Sequence, residues 1–473
     1  MTKPRSTPLR AGFASSVVPG AGQLLAGARG FGWTLVLSTI AAATLAAWGV
    51  LTTEPTGMLK IATNPDLLLV LVSINLIFGM FRILAVTDAW RRAGGHFVRA
   101  GLAALVVFTV VPHATLAYVG LETRSTIMEV FPGGGPDFSP IQISTTSSTS
   151  TTTTTLAWAG PIVTPWTIPT SSTTSSTTTT TTLPLGTNRL TFLLLGGDAG
   201  PGRSGLRTDS VMVATIDTVT GSAALFGLPR NMAGLSFSDG TAFPGHSQGI
   251  LNEVYLYGRA HPEMFAGPDP GITAVSNIVS ATLGIPIDYH ILVEMQGFVE
   301  IVDVFGGVNV NPRKAFTAPI YDDDPGDYEM VTFNAGEQRL TGAQALAYAR
   351  SRTASNDYVR MERQRCLMTG LLAESGPYNL TTKLVSLLDV IERRVSTNIP
   401  SNQLPYLINF APSIDTTQVT FVGFDVDYRN GQYTATGYPM ADIPRIQETV
   451  GLILAGAWDE EPVNVSLSED VCG

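Results

Sequence analysis

Three runs of apolar residues constrain this chain more than any other feature: Phe31 to Leu51, Leu67 to Val86 and Ala100 to Val119. Each is close to the ~20 residues an α-helix needs to cross a bilayer, where backbone polar groups have to be satisfied inside the helix. The expectation is an all-α membrane region of three transmembrane helices over residues 31–120, behind a cytoplasmic or interfacial N-terminus over residues 1–30. A further apolar stretch, Ala11 to Gly27, is short and holds Pro19-Gly20-Ala21-Gly22-Gln23, so it is expected to be interfacial or re-entrant. The later spans argue against a cleaved signal peptide. Lys3, Arg5, Arg10 and Arg29 precede the first run, only Lys60 lies between the first and second, and Arg91, Arg92 and Arg99 lie between the second and third. Positive charge is retained on the cytoplasmic side. The chain is therefore expected to be a multi-pass protein of the cell membrane, its N-terminus cytoplasmic and everything after about residue 120 extracytoplasmic. Arg82, inside the second run, is expected to snorkel toward the cytoplasmic face.

From Phe138 to Gly186 no residue is charged, and Ser and Thr dominate in two tracts, Thr145 to Thr155 and Thr170 to Thr182. Such a segment buries too little apolar surface to offset chain ordering, so residues 121–186 read as an extended stalk. Residues 187–473 form the outer domain, with 32 acidic against 18 basic residues, a balance that opposes general affinity for nucleic acid. Both cysteines, Cys366 and Cys472, lie in this domain, outside the reducing cytoplasm. A disulfide between them is expected, two buried free thiols being the alternative.

Strand character is expected at Arg189 to Gly196, Ser210 to Ile216, Ala223 to Leu228, Tyr289 to Met295 and Val419 to Phe424. Amphipathic helical stretches fall at Asn252 to Arg259, Ile272 to Leu283, Phe298 to Phe305, Thr341 to Ala349, Arg360 to Ala373 and Leu380 to Val395. Strands covered by helices make an α/β or layered α-β-α domain. Within it Arg350, Arg352, Arg360, Arg363 and Arg365 crowd into a short run of an otherwise acidic chain. The guanidinium fork matches two phosphate oxygens at once, so this density suggests a pyrophosphate ligand; a solvated helix face is the alternative. Arg360 and Arg363, three apart, are expected on one helix face. Arg365 points elsewhere and reads as structural or solvated. The glycine-rich loop after Gly196 lacks the Lys-Ser/Thr ending of a P-loop, and no zinc-type Cys/His spacing exists. Asp322, Asp323, Asp324 and Asp327 lack the spacing of an EF-hand and read as a solvated loop.

Six motifs stand in order: Gly197-Asp198; Arg207-Thr208-Asp209-Ser210-Val211-Met212; Leu228-Pro229-Arg230; Leu251-Asn252-Glu253-Val254-Tyr255-Leu256-Tyr257-Gly258; Gly297-Phe298 with Val302-Asp303-Val304-Phe305-Gly306-Gly307-Val308; and Tyr348-Ala349-Arg350-Ser351-Arg352. In these the chain from about Thr187 resembles the LytR-CpsA-Psr family, extracytoplasmic enzymes that move a glycopolymer from a polyprenyl-pyrophosphate lipid onto the cell wall. The resemblance implies an α/β fold with a central mixed sheet flanked by helices and a lipid-accepting pocket on one side of it. It implies phosphotransferase activity, with catalytic Arg207, Asp209, Arg230, Arg350 and Arg352. Pyrophosphate binding maps onto Arg207, Arg230, Arg350, Arg352 and Arg360, with Arg363 added. Asp198 and Asp209 map onto carboxylates associated with Mg²⁺ or Mn²⁺, a hard ion completed by waters and substrate phosphates. The implied partners are a polyprenyl-pyrophosphate-linked glycan, peptidoglycan and membrane lipid, and no nucleic acid. A pyrophosphatase, a non-catalytic wall- or lipid-binding protein and a membrane-bound transcription regulator are the rival readings. Two departures bear on activity: Asn231 stands where the family commonly has Asp, and Ile250-Leu251-Asn252-Glu253 replaces its Lys-Ile-Asn-His, which puts Glu253 at a His position.

Overall fold

The computed structural model describes residues 6–96, 100–132, 189–198, 206–244, 248–321, 328–351, 357–414 and 419–456. The N-terminal part is wholly helical: α1 (Pro8–Val17), α2 (Ala21–Leu25), α3 (Arg29–Thr52), α4 (Pro55–Thr63), α5 (Pro65–Arg92) and α6 (Ala100–Val130). Of these, α3, α5 and α6 are long and apolar enough to cross a membrane. Between α1 and α2 the chain turns at Gly20, whose φ of 102° favours glycine. A Cβ there would also come within 2.4 Å of the Gly32 carbonyl oxygen, so the turn packs directly on α3. Arg82 is engaged within the helical part of the chain. Its guanidinium donates to the Ser16 carbonyl at the end of α1 and lies 3.3 Å from His113 Nε2, whose ring is in turn 2.8 Å from Asn75 Oδ1. A helix end leaves carbonyls without intrahelical partners, and in apolar surroundings a side chain has to supply the donor.

Helix α6 runs past the expected span to Val130, so Leu121 to Val130, read from composition as part of the stalk, are helical. Residues 133–188 lie outside the described residues.

The outer domain comprises β1 (Arg189–Asp198), β2 (Arg207–Asp217), β3 (Ala223–Leu228), α7 (Val254–Ala260), α8 (Pro270–Leu283), β4 (Tyr289–Glu294), α9 (Met295–Val304), β5 (Val308–Val310), β6 (Phe316–Tyr321), β7 (Tyr328–Phe333), β8 (Gln338–Leu340), α10 (Gly342–Arg350), α11 (Asp357–Glu374), α12 (Pro377–Arg394), β9 (Val395–Thr397), α13 (Leu404–Phe410), β10 (Thr420–Gly423), β11 (Arg429–Tyr433), β12 (Pro439–Ala441) and α14 (Ile443–Leu454). Six strands form a mixed sheet in the order β10-β3-β2-β1-β4-β9. β1 is antiparallel to β2 and parallel to β4. The fold is a layered α/β domain behind three apolar helices.

Alternation along the strands divides the core. Leu193 and Leu195 of β1, opposite Val213 and Val211 of β2, face a cluster with Ile278 and Val279 of α8 and Ile446 and Val450 of α14. Leu190 and Phe192 face the other way, onto Tyr289, Leu388 of α12 and Ile127 of α6. A third cluster, around Tyr348, Phe333, Val302 and Leu367, fastens α9, α10 and α11 to the small strands β5–β8. The acidic run Asp322 to Asp327 falls between β6 and β7, outside the described residues.

Candidate active site

Near the end of β1 the register with β2 shifts: Gly196 pairs with Ser210, but Gly197 pairs with Thr208. Asp209 is therefore the extra residue of a β-bulge. In a regular strand Asp209 and Ser210 would point to opposite faces; a bulge re-aims the chain. Both now line one cavity of about 1220 Å³, lying between the sheet and α9, α10 and α11. This exceeds the ~300–1,000 Å³ of a pocket for a drug-sized ligand.

The cavity has two characters. Leu194, Ile291, Phe298, Ile301, Met368 and Leu371 make an apolar part, while Asp198, Arg207, Asp209, Arg230, Asn252, Arg350 and Arg360 supply a polar one. Arg230, which follows β3, donates from Nη1 to Asp209 Oδ1 at 2.7 Å, and Asn252 Nδ2 adds a weaker contact to the same oxygen at 3.4 Å. Arg360, 5% exposed, donates to the Asp209 backbone carbonyl at 2.6 Å. Burial pushes the Asp209 carboxyl up, but the facing Arg230 charge and hydrogen bond, with Arg360 and Asn252, outweigh it and hold the group below its ordinary value. It is an ionised acceptor at neutral pH. Arg350 enters from the last turn of α10, whose first turn is fixed by a capping box of Thr341 and Gln344.

Of the arginines expected on pyrophosphate, the structure brings Arg207, Arg230, Arg350 and Arg360 together. Arg352 lies outside the described residues. Arg363 is placed elsewhere: it is 6% exposed, donates to the Ser351 carbonyl at 2.8 Å and stacks 3.9 Å from the centre of the Phe316 ring. Three residues along α11 are enough of a rotation to send Arg360 into the cavity and Arg363 behind its wall. Arg365 pairs with Glu362 at 2.6 Å and sits over Phe421, away from the cavity as expected. Gln364, which no sequence argument singled out, lines the cavity and accepts from the Ser210 hydroxyl at 3.1 Å. Its only signal was its place amid the arginines. Cys366, buried on the same helix, is disulfide-bonded; the chain's other cysteine, Cys472, lies outside the described residues.

The LytR_cpsA_psr family profile matches residues 167–450. The chain belongs to the LytR-CpsA-Psr family. Among curated members it is 29% identical over 209 residues to the polyisoprenyl-teichoic acid–peptidoglycan teichoic acid transferase TagU of Bacillus licheniformis, covering 44% of this chain and 59% of that protein. To the TagU of Bacillus anthracis it is 31% identical over 221 residues, 46% of this chain and 62% of the relative. The chain thus spans about three fifths of the length of the curated relatives it matches. A crystal structure of B. subtilis TagV aligns with a TM-score of 0.43 at 22% identity, over 57% of this chain and 99% of that one.

One of the two departures from the family's pattern, Glu253, is accounted for locally. Glu253, 2% exposed, does not line the cavity; its carboxylate accepts from the backbone N–H groups of Gln248 and Gly249 at 2.8 and 3.0 Å. An acidic residue there secures a loop, a task that a positively charged His would not perform. Asn231 also stands outside the cavity lining.

Proposed function

We propose that this chain is a membrane-anchored phosphotransferase that moves a glycopolymer, with its linking phosphate, from a polyprenyl-pyrophosphate carrier to a hydroxyl of peptidoglycan. The observation that carries the reading is one cavity with four arginines at its polar part and a long apolar part beside it. A ligand that fits both is a polyanion on a hydrocarbon chain. The acceptor oxygen would attack the phosphorus that bears the glycan, the bond to the bridging oxygen would break, polyprenyl phosphate would leave, and the acceptor's proton would pass to a carboxylate or to water. Phosphoryl transfer is mostly positioning and charge neutralisation. Arg207, Arg230, Arg350 and Arg360 would hold the phosphate oxygens, and Asp209 keeps Arg230 oriented. The relatives' names support this chemistry, as they are transferases of polyisoprenyl-linked teichoic acid.

Mg²⁺ or Mn²⁺ would suit Asp198 and Asp209, whose carboxylates line the same cavity, although no group of three or more ligating side chains occurs among the described residues. Two carboxylates suit an ion that keeps waters and is completed by substrate phosphates. When bound, it would neutralise charge on the transferred phosphoryl group. With the N-terminus inside, the orientation that the positions of Lys and Arg favour, the cavity would lie outside the cell, where a peptidoglycan acceptor would be.

The test is incubation of the full chain with a polyprenyl-pyrophosphate-linked glycan and purified peptidoglycan. Glycan joined to peptidoglycan through phosphate, read by mass spectrometry, is the expected result. Release of glycan phosphate into solution without transfer would make the enzyme a pyrophosphatase.

A further inference from the structure

Phe131, at the end of the described α6 segment, and Leu190, at the start of β1, share one apolar cluster. Residues 133–188 therefore join two points that lie side by side, and do not set the domain at a distance from the helices. The contact is extensive. Ile127 is fully buried in that cluster, with Leu68 of α5 packed against it. Thr126 donates to Glu392 Oε2 at 2.9 Å, and Ser401 N–H donates to the Pro132 carbonyl at 3.1 Å. From α4, which links α3 to α5, Lys60 Nζ donates to Asn409 Oδ1 at 2.6 Å and the Pro55 carbonyl accepts from Thr381 at 3.1 Å.

This docking fixes which side of the domain meets the bilayer. α11 runs from Arg360 at the polar part of the cavity to Leu371 at the apolar part, and α12 starts just beyond it. On α12, positions 378, 381 and 385 share a face. Thr381 of that face touches Pro55, while its neighbours Tyr378 and Val385 are 71% and 61% exposed. Leu372, next to the cavity-lining Leu371, is exposed as well. Large apolar side chains left bare beside helices that cross a membrane match lipid, and Tyr is favoured at the interface.

We propose that α4 and the projecting end of α6 hold the domain on the outer leaflet in one pose, with Leu372, Tyr378 and Val385 forming an apolar lip. A polyprenyl chain crosses this lip from the lipid to the apolar part of the cavity. The proposal rests on the polyprenyl-pyrophosphate reading for the chain that crosses, but the docked pose is read separately.

The experiment uses the full chain in phosphatidylglycerol–phosphatidylethanolamine nanodiscs, with a protease site inserted between residues 133 and 188. With Thr126→Cys and Glu392→Cys, a short bis-maleimide keeps the two halves joined after cleavage, whereas Thr126→Cys with Asp239→Cys, on the opposite layer, does not. Equal yields from the two pairs would overturn the docked pose. Spin labels at Tyr378→Cys and Val385→Cys are expected to be relaxed by oxygen and shielded from a water-soluble nickel reagent; the reverse would overturn the lip. Tyr378→Glu with Val385→Glu should lower transfer from a long-chain donor in the nanodisc by about tenfold, since two carboxylates on the lip oppose both its contact with lipid and the passage of a hydrocarbon chain. Transfer from a short, water-soluble prenyl-pyrophosphate donor should be unchanged, and equal loss with both donors would overturn the proposal. If the parent transfers from neither donor while cross-link and labels behave as expected, the phosphotransferase reading fails and the docked pose stands.

Discussion

Arg230 and Asp209 meet at 2.7 Å with less than a third of either side chain exposed, so each contributes to compensating the other's charge. Arg230→Lys keeps the charge but loses the fork, and transfer should fall; Arg230→Ala should reduce it further, by about 10²–10³-fold, the scale of losing one preorganised donor. Arg365→Ala should leave transfer near the parent rate, which assays of the three variants side by side would check. Arg363 separates stability from activity in the opposite sense. Arg363→Ala removes a buried hydrogen bond and a ring contact and should cost about 1–3 kcal/mol in thermal denaturation, with residual transfer following the folded fraction. For Asp209 the folded carboxyl lies below its ordinary value, so the pair's contribution is complete above about pH 4 and is lost as pH falls through the depressed value. The melting-temperature gap between parent and Asp209→Asn should therefore stay constant from neutral pH to about 4 and close in more acidic buffer.

Helix α11 carries Arg360, Gln364 and Cys366, and it passes β5 at one close approach. A Cβ on Gly370 would come within 2.5 Å of the Asn309 backbone oxygen in β5. Gly370→Ala should push α11 away from β5 and lower both the melting temperature and transfer, even though the glycine lines nothing. An unchanged enzyme would mean that β5 gives way. Helix α10 offers a milder contrast: Thr341→Ala removes the capping box and should cost about 1 kcal/mol in thermal unfolding, with Arg350 still in place and transfer retained.

Across the whole molecule, α11 carries a disulfide at Cys366. With Cys472 as the partner that the composition leaves, the closed loop of about a hundred residues corresponds to up to ~4 kcal/mol in the loop-entropy model. Reduction and alkylation should lower the melting temperature and loosen the arginine site with it. Non-reducing peptide mapping checks the pairing.

The three apolar helices and the places of the main strands along the chain were legible in the residues, because hydropathy runs and strand alternation are local properties, whereas Arg207, Arg230 and Arg350 were marked by the family resemblance. Glu253 could be seen as a departure, but only the fold revealed that its carboxylate holds the backbone of Gln248 and Gly249. Spacing alone put Arg360 and Arg363 together; the packing of Phe316 and Ser351 against one side of α11 parted them. Asp209 reaches the cavity through a register shift between two strands, which neither strand's sequence states by itself. Composition marked the Ser/Thr-rich segment as unable to build a core, yet that the residues on either side of it share one apolar cluster depended on Ile127 and Phe131 finding Leu190 and Phe192. Contacts between residues so far apart in the chain are decided by three-dimensional packing, which local periodicity does not encode.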